Sequence, residues 1–512
     1  MKSAVGLQHT QSFVLELPLS ISPQEETALA ARFEAARQLY NAVLGEALRR
    51  MFLMKESKEW KKARTLPLKT RERSRSFAEC SRRLGFTDYD LQAYGTRCKN
   101  SCWIGEHLDA HAAQTTATRA FRAAERYLFR SSGKPRFKTK RQGLSSVEGK
   151  SNATGIRWRT DRVEWSGLIL APRFDRKDKH GVQSLALQCP VKYVRLVRRS
   201  VMGRIRWFVQ IVCSGTPKWK EKNPVGEGTV GLDLGPSTVA VVGDRNASLE
   251  GFCPGLPDFE KTARRLKRAM DRSRRLSNPG NFNPDGTVKP GRREWVFTRG
   301  YLRLRAKVSD LERRKAAYRK TEHGKLVHRV IEHGTTIKTE KLSYKAFQKN
   351  FGKSVGNRAP GLFMNLLRRK AERAGGRVLE FSTRETRLSQ VCHHCECFEK
   401  KPLSRRWHRC ECGVGPVQRD LYSAYLARHV RDGALSSESA REGWCDSRIA
   451  VTGGGRKSQT NGEWQGPSCL LRLLAGVGAV PPGSPAVERE ESGGVAERRE
   501  PERPSSITDR TP

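Results

Sequence analysis

Acidic residues are scarce in this chain. Its 512 residues include 53 Asp and Glu against 98 Lys and Arg, so the formal net charge is +45 and the isoelectric point is near 10.4. A charge this large repels itself when the chain is compact, which argues against an ordinary soluble enzyme with a basic surface. The composition favours a polyanionic partner, with nucleic acid ahead of an anionic membrane surface.

Long apolar runs are also missing. The first residues lack the apolar core of a secretion signal, and no window holds the run of about 20 apolar residues that a bilayer requires. We therefore expect a cytoplasmic protein without a membrane partner. By length alone, the chain has room for roughly three domains and at least one sizeable core.

A disulfide framework is not expected, because five of the 13 cysteines crowd into one short segment of a large chain. In CHHC, Cys392 and Cys395 are separated by two residues. Fourteen residues follow, and CEC adds Cys410 and Cys412. Four thiolates predict one closed tetrahedral zinc site that folds a segment too short to have its own core.

The second cysteine pair is closer than the usual two-residue gap, so Cys397 or His408 remains open as a substitute ligand. His393 and His394, which lie between the first two cysteines, are expected to be exposed neighbours of the site.

Helix signals dominate the first part of the chain after an opening strand, SFVLELPLS. Ser22, Pro23 and Glu25 form a helix start of the capping-box type. An apolar stripe at helical spacing follows, formed by Leu29, Phe33, Ala36, Tyr40, Val43, Ala47 and Met51. A second long helix is predicted from about His111 to Phe129.

The next part is β-rich and basic. The segment SSGKPRFKTKRQG, with Arg136 and Lys138 beside an aromatic residue, is either a solvated linker or a loop that contacts phosphates. The runs VEWSGLIL, VKYVRLVRR and RIRWFVQIVCSG read as strands, with Met202-Gly203 as a turn. Four arginines alternate onto one hairpin face, where they would touch a phosphate backbone or solvent: Arg195, Arg199, Arg204 and Arg206.

Three acidic residues lie at the ends of predicted elements in the remaining part. Asp233 ends the first strand of GTVGLDLGPSTVAVVGD, Glu340 ends TTIKTE, and Asp420 begins the helix QRDLYSAYLARHV. In an RNase H-like sheet these places converge on one edge, where carboxylates need divalent cations. Two Mg²⁺ ions there would activate water for attack on a phosphate.

The same Gly-x-Asp-x-Gly hairpin also occurs in the actin and sugar-kinase type of ATPase. That reading is a rival, although no second phosphate loop or adenosine loop can be placed in the sequence. Beyond Arg431 the composition of Gly, Ser, Pro, Glu and Arg predicts a largely disordered tail with one weak apolar island, CLLRLLAGVGAV.

These motifs together resemble a known family. GLDLG, TEKL, SQVCHHC followed by CECG, and QRD are similar to the three-part RuvC nuclease domain, with its embedded zinc ribbon, of TnpB proteins and the compact type V CRISPR effectors. KPRFK and RQLYNAVL resemble the N-terminal half of that family. After Asp420 the family commonly has an Asn and paired alanines, whereas this chain has LYSAY.

The resemblance implies a multidomain α+β architecture: an RNase H-like (RuvC) domain with an inserted zinc ribbon, preceded by a β-barrel-like wedge domain that a helical recognition lobe interrupts. The implied boundaries are 1–21 and 131–227 for the wedge, 22–130 for the recognition lobe, 228–385 for the first RuvC parts, 386–417 for the ribbon, 418–431 for the last RuvC helix and 432–512 for the tail.

The resemblance also implies a function, an RNA-guided endonuclease that pairs a guide RNA with double-stranded or single-stranded target DNA after reading a short flanking motif. Asp233, Glu340 and Asp420 would bind two catalytic Mg²⁺, and Cys392, Cys395, Cys410 and Cys412 would bind zinc. Nucleic-acid contacts are expected from seven cations: Arg136, Lys138, Arg195, Arg199, Arg206, Arg406 and Arg409. An RNA-guided DNA binder with weak or no cleavage is the alternative. The expected location is the prokaryotic cytosol, at the nucleoid when the target is bound.

Overall fold

The protein has a mixed α+β architecture with two large sheets, each packed against helices. The computed structural model describes residues 11–244, 246–402 and 404–445. Its strands are β1 (Ser12–Ser20), β2 (Ser146–Glu148), β3 (Arg157–Arg159), β4 (Arg162–Trp165), β5 (Leu168–Pro172), β6 (Val191–Val201), β7 (Arg204–Ser214), β8 (Thr229–Leu234), β9 (Thr238–Val242), β10 (Ala247–Gly251), β11 (Thr336–Glu340), β12 (Arg377–Phe381), β13 (Trp407–His408), β14 (Val417–Gln418), β15 (Val430–Arg431) and β16 (Ala434–Leu435).

The helices are α1 (Pro23–Glu56), α2 (Lys58–Thr65), α3 (Arg71–Arg83), α4 (Asp88–Asn100), α5 (Ile104–His107), α6 (Ala110–Leu128), α7 (Val182–Gln188), α8 (Leu256–Leu276), α9 (Arg299–His333), α10 (Tyr344–Arg358), α11 (Pro360–Arg373), α12 (Thr383–Thr386), α13 (Arg419–Arg428) and α14 (Ser437–Cys445), with a 3₁₀ turn at Pro279–Asn281. Within the described ranges, none of them is both long and apolar enough to cross a membrane.

The long helix α1 begins where the sequence predicts. Ser22 Oγ accepts a hydrogen bond from the Glu25 amide at 3.3 Å, and the Glu25 carboxylate accepts one from the Ser22 amide at 2.7 Å, so the capping box is formed. Every residue of the predicted apolar stripe is buried. The stripe packs against α4 and α6, and this contact is the core of the helical lobe.

The first sheet has seven strands in the order β2-β6-β7-β1-β5-β4-β3. Strand β1 pairs with β7 on one side and β5 on the other, so the chain leaves the sheet after β1 and returns to it after the helical lobe. The hairpin of β6 and β7 turns at Met202 and Gly203, which both have positive φ, as a tight primed turn requires. The predicted turn is confirmed.

The run VEWSGLIL is two strands rather than one. Ser166 and Gly167 have positive φ and form a turn, so β4 and β5 pair with each other in antiparallel fashion. The Ser-Gly pair is the turn signal that separates the two runs.

The second sheet has the order β10-β9-β8-β11-β12. Strands β8, β9 and β10 are antiparallel neighbours, whereas β11 runs parallel to β8 and β12 runs parallel to β11. One face packs against α9 and α11 through Val230, Leu232 and other apolar side chains. The opposite face carries α13, which packs on β8, β9 and β11.

The prediction of a disordered tail from residue 432 is wrong for residues 432–445. Strands β15 and β16 pair, and α14 packs back onto α13, where the Tyr425 hydroxyl donates to the Ala440 carbonyl oxygen at 2.6 Å. The segment looks polar, yet Ala440 and Trp444 are four residues apart and lie on one helix face. The rest of the predicted tail, including CLLRLLAGVGAV, lies outside the described residues.

A buried histidine makes the second sheet sensitive to acid. His323 is 1% exposed, stacks on Phe252, and its Nε2 lies 2.9 Å from the Arg358 carbonyl oxygen. Burial lowers the pKa of His323 from 6.5 to about 4. Below pH 6.5 the unfolded chain therefore binds a proton that the folded chain excludes, and stability falls as the pH drops.

We expect the free energy of unfolding to fall by about 2 kcal/mol from His323 alone between pH 7 and pH 5. In His323→Gln, whose amide can still donate to the Arg358 carbonyl, this part of the pH dependence should disappear. Urea titrations of both proteins at the two pH values measure it, with His107→Gln as the control. An equal pH dependence in wild type and His323→Gln would contradict the assignment.

Candidate functional site

Two of the three predicted acids meet on adjacent parallel strands. Thr339 of β11 is in register with Leu232 of β8, so the next residues along the strands, Glu340 and Asp233, are neighbours at the same sheet edge. Side chains alternate along a strand, and Leu232 packs on the α9 face. Asp233 therefore faces α13, as Glu340 does on its own strand.

The third acid reaches this edge from α13. Asp420 lies in the first turn of the helix, and Thr238 Oγ1 is 3.4 Å from its Oδ2. The Gln418 side chain caps the helix by accepting from the Leu421 amide at 2.7 Å. The structure thus brings Asp233, Glu340 and Asp420 to one place.

Gly231 makes this convergence possible. A Cβ added at Gly231 would lie 1.7 Å from the Ala424 carbonyl oxygen, closer than any side chain can approach. Helix α13 can therefore cross β8 only where the strand has a glycine. The glycines of GLDLG were noted as part of a motif, but this packing role was not predicted, because it depends on a helix almost 190 residues further along the chain.

The electrostatics of the edge favour a bound cation. Burial raises the pKa of Asp233 well above its ordinary value, and the carboxylates of Glu340 and Asp420 raise it further, while Arg419 partly opposes them. Burial also raises the pKa of Glu340 to about 7. Acids held this close cannot all ionise without a positive partner.

Two arginines flank Asp420. Arg406 NH1 lies 3.9 Å from Asp420 Oδ2, and Arg419 Nε lies 3.9 Å from Oδ1. The Arg406 side chain is 59% exposed, whereas that of Arg419 is 10% exposed. Arg419 therefore belongs to the packed edge, and Arg406 remains available to an incoming anion.

The predicted cysteines also come together. Sγ of Cys392 is 3.6 Å from that of Cys412, and Sγ of Cys395 is 3.4 Å from that of Cys410. A tetrahedral zinc site with bonds of about 2.3 Å needs sulfur separations of about 3.8 Å. In the described part of the chain, the thiols of Cys392, Cys395, Cys410 and Cys412 lie within 4.8 Å of one another, close enough to share one metal ion. The cluster fits a structural zinc ion.

The two substitute ligands behave differently. His408 is turned away from the cluster, since its ring stacks on Tyr422 at 4.2 Å and its Nδ1 contacts Lys401 Nζ at 2.5 Å. Cys397 Sγ, by contrast, lies 3.1 Å from Cys395 Sγ and 3.5 Å from Cys410 Sγ. Cys397 is a fifth thiol beside a set that is complete without it.

His393 was expected to be exposed, but it is buried. It is 1% exposed, and its Nδ1 lies 2.8 Å from the Tyr422 hydroxyl on α13. Tyr422 therefore contacts both His393 and His408, and this packing accounts for the tyrosine two residues after Asp420. His394 is exposed as expected.

The cysteine segment leads directly into the acidic edge. Strand β14 pairs with β13, and the Arg419 amide donates to the Arg406 carbonyl oxygen at 2.8 Å. Asp420 follows immediately. A metal bound by the cysteines would therefore help to hold both Asp420 and Arg406 in position.

The cations predicted to contact nucleic acid differ in whether a carboxylate of the protein already pairs with them. Arg195 pairs with Glu148 at 2.6 Å, and Arg199 pairs with Glu16 at 2.6 Å, so both cations have partners within the sheet. Arg206 lies opposite Arg199 on the same face and is exposed. Arg136 and Arg409 are exposed as well.

The backbone of Lys138 is fixed by α1. Its carbonyl oxygen accepts from Arg37 NH1 and Asn41 Nδ2, both at 2.8 Å, and its amide donates to Asn41 Oδ1 at 2.8 Å. This loop is therefore anchored to the helical lobe.

A basic cleft of about 350 Å³ between α6 and the first sheet was missed. Arg119, Arg122 and Arg126 line it from one face of α6, together with Arg195. The sequence contains a pattern that predicts this basic surface, because the spacings of three and four residues place all three arginines on one helix face.

We expect Arg206 and Arg199 to respond differently to substitution. Arg206→Ala removes a free cation, so the slope of log affinity for nucleic acid against log salt should fall by about 0.7 to 0.9, without a loss of stability. Arg199→Ala leaves the Glu16 carboxylate without its bidentate partner and should cost about 1 kcal/mol of stability. Salt titrations of binding and thermal melts measure both effects. Identical behaviour of the two variants would contradict this distinction.

The fold and the site define a multidomain α+β protein in which three acids meet at a sheet edge beside a four-cysteine cluster. Residues 361–426 match the family model described as Cas12f1-like, TNB domain. This match confirms the resemblance to TnpB proteins and compact type V effectors, and it covers residues 361–426 of the chain. No curated protein matches the chain.

Two solved structures match over 81% of this chain. A cryo-EM structure of a Cas12f1–sgRNA–target DNA complex matches with 12% identity and a TM-score of 0.42, covering 81% of this chain and 98% of the other. A cryo-EM structure of a CRISPR-Cas12f ternary complex matches with 12% identity and a TM-score of 0.27, covering 81% and 84%.

Proposed function

We propose that the protein is an RNA-guided DNA endonuclease of the RuvC type. The observation that carries this proposal is the convergence of Asp233, Glu340 and Asp420 at one sheet edge, directly after a cysteine segment that matches the Cas12f1-like TNB domain. The sheet order, an antiparallel three-strand meander followed by two parallel strands, supports the RNase H-like fold that the sequence predicts.

The three acids would hold divalent metal ions. Carboxylate oxygens are ligands that Mg²⁺ prefers, and a phosphate of the substrate completes its shell. In two-metal sites the ions lie about 3.5 to 4 Å apart, and carboxylates converging from two strands and a helix would bind such a pair.

When bound there, magnesium would polarise the scissile phosphate and activate a water molecule for in-line attack. The protein contributes the acids that hold the ions, and Arg406 lies where it can attract the phosphate of an entering strand. The basic α6 cleft and Arg206 supply further phosphate contacts for guide and target strands.

The proposed partners are a guide RNA and target DNA, in double-stranded or single-stranded form. The net charge of +45 supports them, as does the family match. The proposed location is the prokaryotic cytosol, at the nucleoid while a target is bound.

Guidance is tested by the RNA that the protein retains. The chain, expressed with its native flanking DNA and purified, should carry one abundant RNA with a constant scaffold and a variable or locus-derived end. Sequencing that RNA also distinguishes a transposon end from a repeat-spacer array as its source. Random cellular RNA would contradict guidance.

Two alternatives predict other results. An RNA-guided binder without efficient cleavage would retain the same RNA and bind the matching DNA, but leave it intact in Mg²⁺. The actin or sugar-kinase type of ATPase would hydrolyse nucleotides without RNA. The convergence of Glu340 and Asp420 on Asp233 favours the nuclease over both.

A further inference from the structure

A second strongly basic cleft lies far from the acids. It has a volume of about 510 Å³ and lies between the linker that precedes β8, the C-terminal half of α9, and α11. Its lining includes five Lys or Arg residues and His328, but only one carboxylate, Glu332. We call the part formed by Lys220, Lys222 and Lys370 the lysine cleft.

Two of the five cations are already neutralised. Lys325 pairs with Glu322 at 2.8 Å, and Arg329 pairs with Glu250 through a hydrogen bond of 2.6 Å. Within the described part of the chain, no carboxylate lies within 4 Å of the ammonium groups of the lysine cleft. Three ammonium groups therefore share one concave site without an ion-pair partner, and Glu332 is the single carboxylate in its lining.

The cleft is held open by fixed contacts. Trp219 Nε1 donates to the Asn223 carbonyl oxygen at 2.7 Å, and its ring packs edge-on against His328 at 5.1 Å. Arg373 NH2 donates to the Pro217 carbonyl oxygen at 2.9 Å, which ties the start of the linker to α11. The linker lysines are thus presented by an anchored segment.

Burial and neighbouring cations lower the pKa values of two half-buried groups that line the cleft, Lys370 and His328. Burial, followed by Arg373 and Lys220, lowers the pKa of Lys370 to about 8. Burial and four neighbouring cations lower the pKa of His328 to about 4. Lys370 Nζ contacts His328 Nε2, which is therefore the acceptor of a hydrogen bond from the ammonium group.

The lysine cleft is separate from the catalytic edge. The Gly226 amide, at the end of the linker, donates to the Ile331 carbonyl oxygen at 3.0 Å, so the cleft lies at the beginning of β8. Asp233 lies near the end of that strand. Five residues of extended chain separate Gly228 from Asp233, or about 16 Å.

We propose that the lysine cleft binds a phosphate group, at a site distinct from the three acids. Three clustered ammonium groups without a carboxylate partner match the charge of a phosphate, and the volume accommodates a nucleotide-sized unit of a strand. The phosphate comes either from a nucleic-acid backbone or from free phosphate, and the two sources are separable. Binding there does not require cleavage by the acids.

Lysine footprinting tests the site directly. The intact protein, with Asp233→Asn to prevent cleavage, is labelled at pH 8 with an amine-acylating reagent, alone or with single-stranded RNA, duplex DNA or inorganic phosphate. The labelled lysines are then quantified by mass spectrometry. We expect Lys370, Lys220 and Lys222 to be protected at least several-fold, whereas the exposed Lys349 of α10 is not.

Protection by RNA or DNA alone would identify a backbone site, and protection by millimolar phosphate a small-anion site. Equal labelling of the three lysines under every condition, or protection no greater than that of Lys349, would overturn the proposal.

Two double-lysine variants provide the second measurement. Lys220→Gln combined with Lys222→Gln should lower the slope of log affinity against log salt by about 1.4 to 1.8 if both lysines contact phosphates. The matched control, Lys345→Gln combined with Lys349→Gln, removes the same charge from α10. An equal change in both double variants would show only a general charge effect and would contradict a site.

The two hypotheses fail separately. Undiminished cleavage by Asp233→Asn would contradict the catalytic role of the acids and would leave the lysine cleft untouched. An equal salt slope in the two double-lysine variants would contradict the cleft, whether or not the acids cleave DNA.

Discussion

Asp233→Asn is expected to lower the rate of Mg²⁺-dependent cleavage of guide-matched DNA by on the order of 10³-fold or more, with target binding retained. The substitution keeps the shape of the side chain but removes a charge that the proposed mechanism assigns to metal binding, and loss of several kcal/mol of transition-state stabilisation corresponds to that factor. Cleavage of end-labelled DNA by the complex of protein and guide RNA measures it. Binding is measured separately in EDTA.

Misfolding can be separated from the loss of a catalytic acid. Burial and two neighbouring carboxylates raise the pKa of Asp233, so the metal-free protein loses stability as the pH rises above the ordinary pKa of an aspartate, and it carries this cost at pH 8. Asp233→Asn should therefore raise the melting temperature in EDTA at pH 8. Asp258→Asn, at an exposed acid of α8, is the matched control and should change neither cleavage nor stability. Undiminished cleavage by Asp233→Asn would contradict the assignment of Asp233 as a catalytic acid.

Cys392→Ser is expected to remove most of the zinc from the protein. Cys392 is the buried member of the four-cysteine cluster, and three remaining thiolates leave the site open. Metal binding supplies much of the folding free energy of such small segments. Elemental analysis of the purified chain should show about one zinc per wild-type protein and far less in the variant.

The fifth thiol provides the control for this experiment. Cys397→Ser should keep the zinc, since the cluster of four is complete without Cys397. Loss of zinc in Cys397→Ser, with retention in Cys392→Ser or Cys412→Ser, would instead make Cys397 the fourth ligand.

The loss of zinc should also reduce cleavage. The cysteine segment is continuous with Asp420, and the Arg419 amide bonds to the Arg406 carbonyl oxygen within it. A disordered cysteine segment would therefore release one of the three acids. Cleavage by Cys392→Ser that matches the wild type would show that α13 holds Asp420 without the metal.

Local features of the fold follow from short stretches of sequence. The Ser22 capping box, the buried stripe of α1 and the Met202-Gly203 turn each depend on residues within a few positions of one another. Such features reflect backbone geometry and helical periodicity, which act before any long-range contact forms. Order in residues 432–445 was not predicted, because two apolar residues, Ala440 and Trp444, are too few to indicate a buried helix face in the sequence. The face is apparent only where α13 packs against it.

The same division applies to the charged residues. The sequence predicts that Arg195 and Arg199 are surface cations. Whether they can bind a phosphate depends on Glu148 and Glu16, because strand pairing brings these carboxylates beside them. The lysine cleft was not predicted at all, because its members come from a linker and a helix almost 150 residues apart.

By itself, the sequence determined which residue types this protein has for its chemistry: three acids at the ends of regular elements, and cysteines at metal-binding spacing. Only the tertiary structure decided that the acids meet. Parallel pairing of β11 with β8 aligns Glu340 with Asp233, and the missing side chain of Gly231 lets α13 approach closely enough to add Asp420. These distances depend on packing between distant segments, and no local pattern in the chain specifies them.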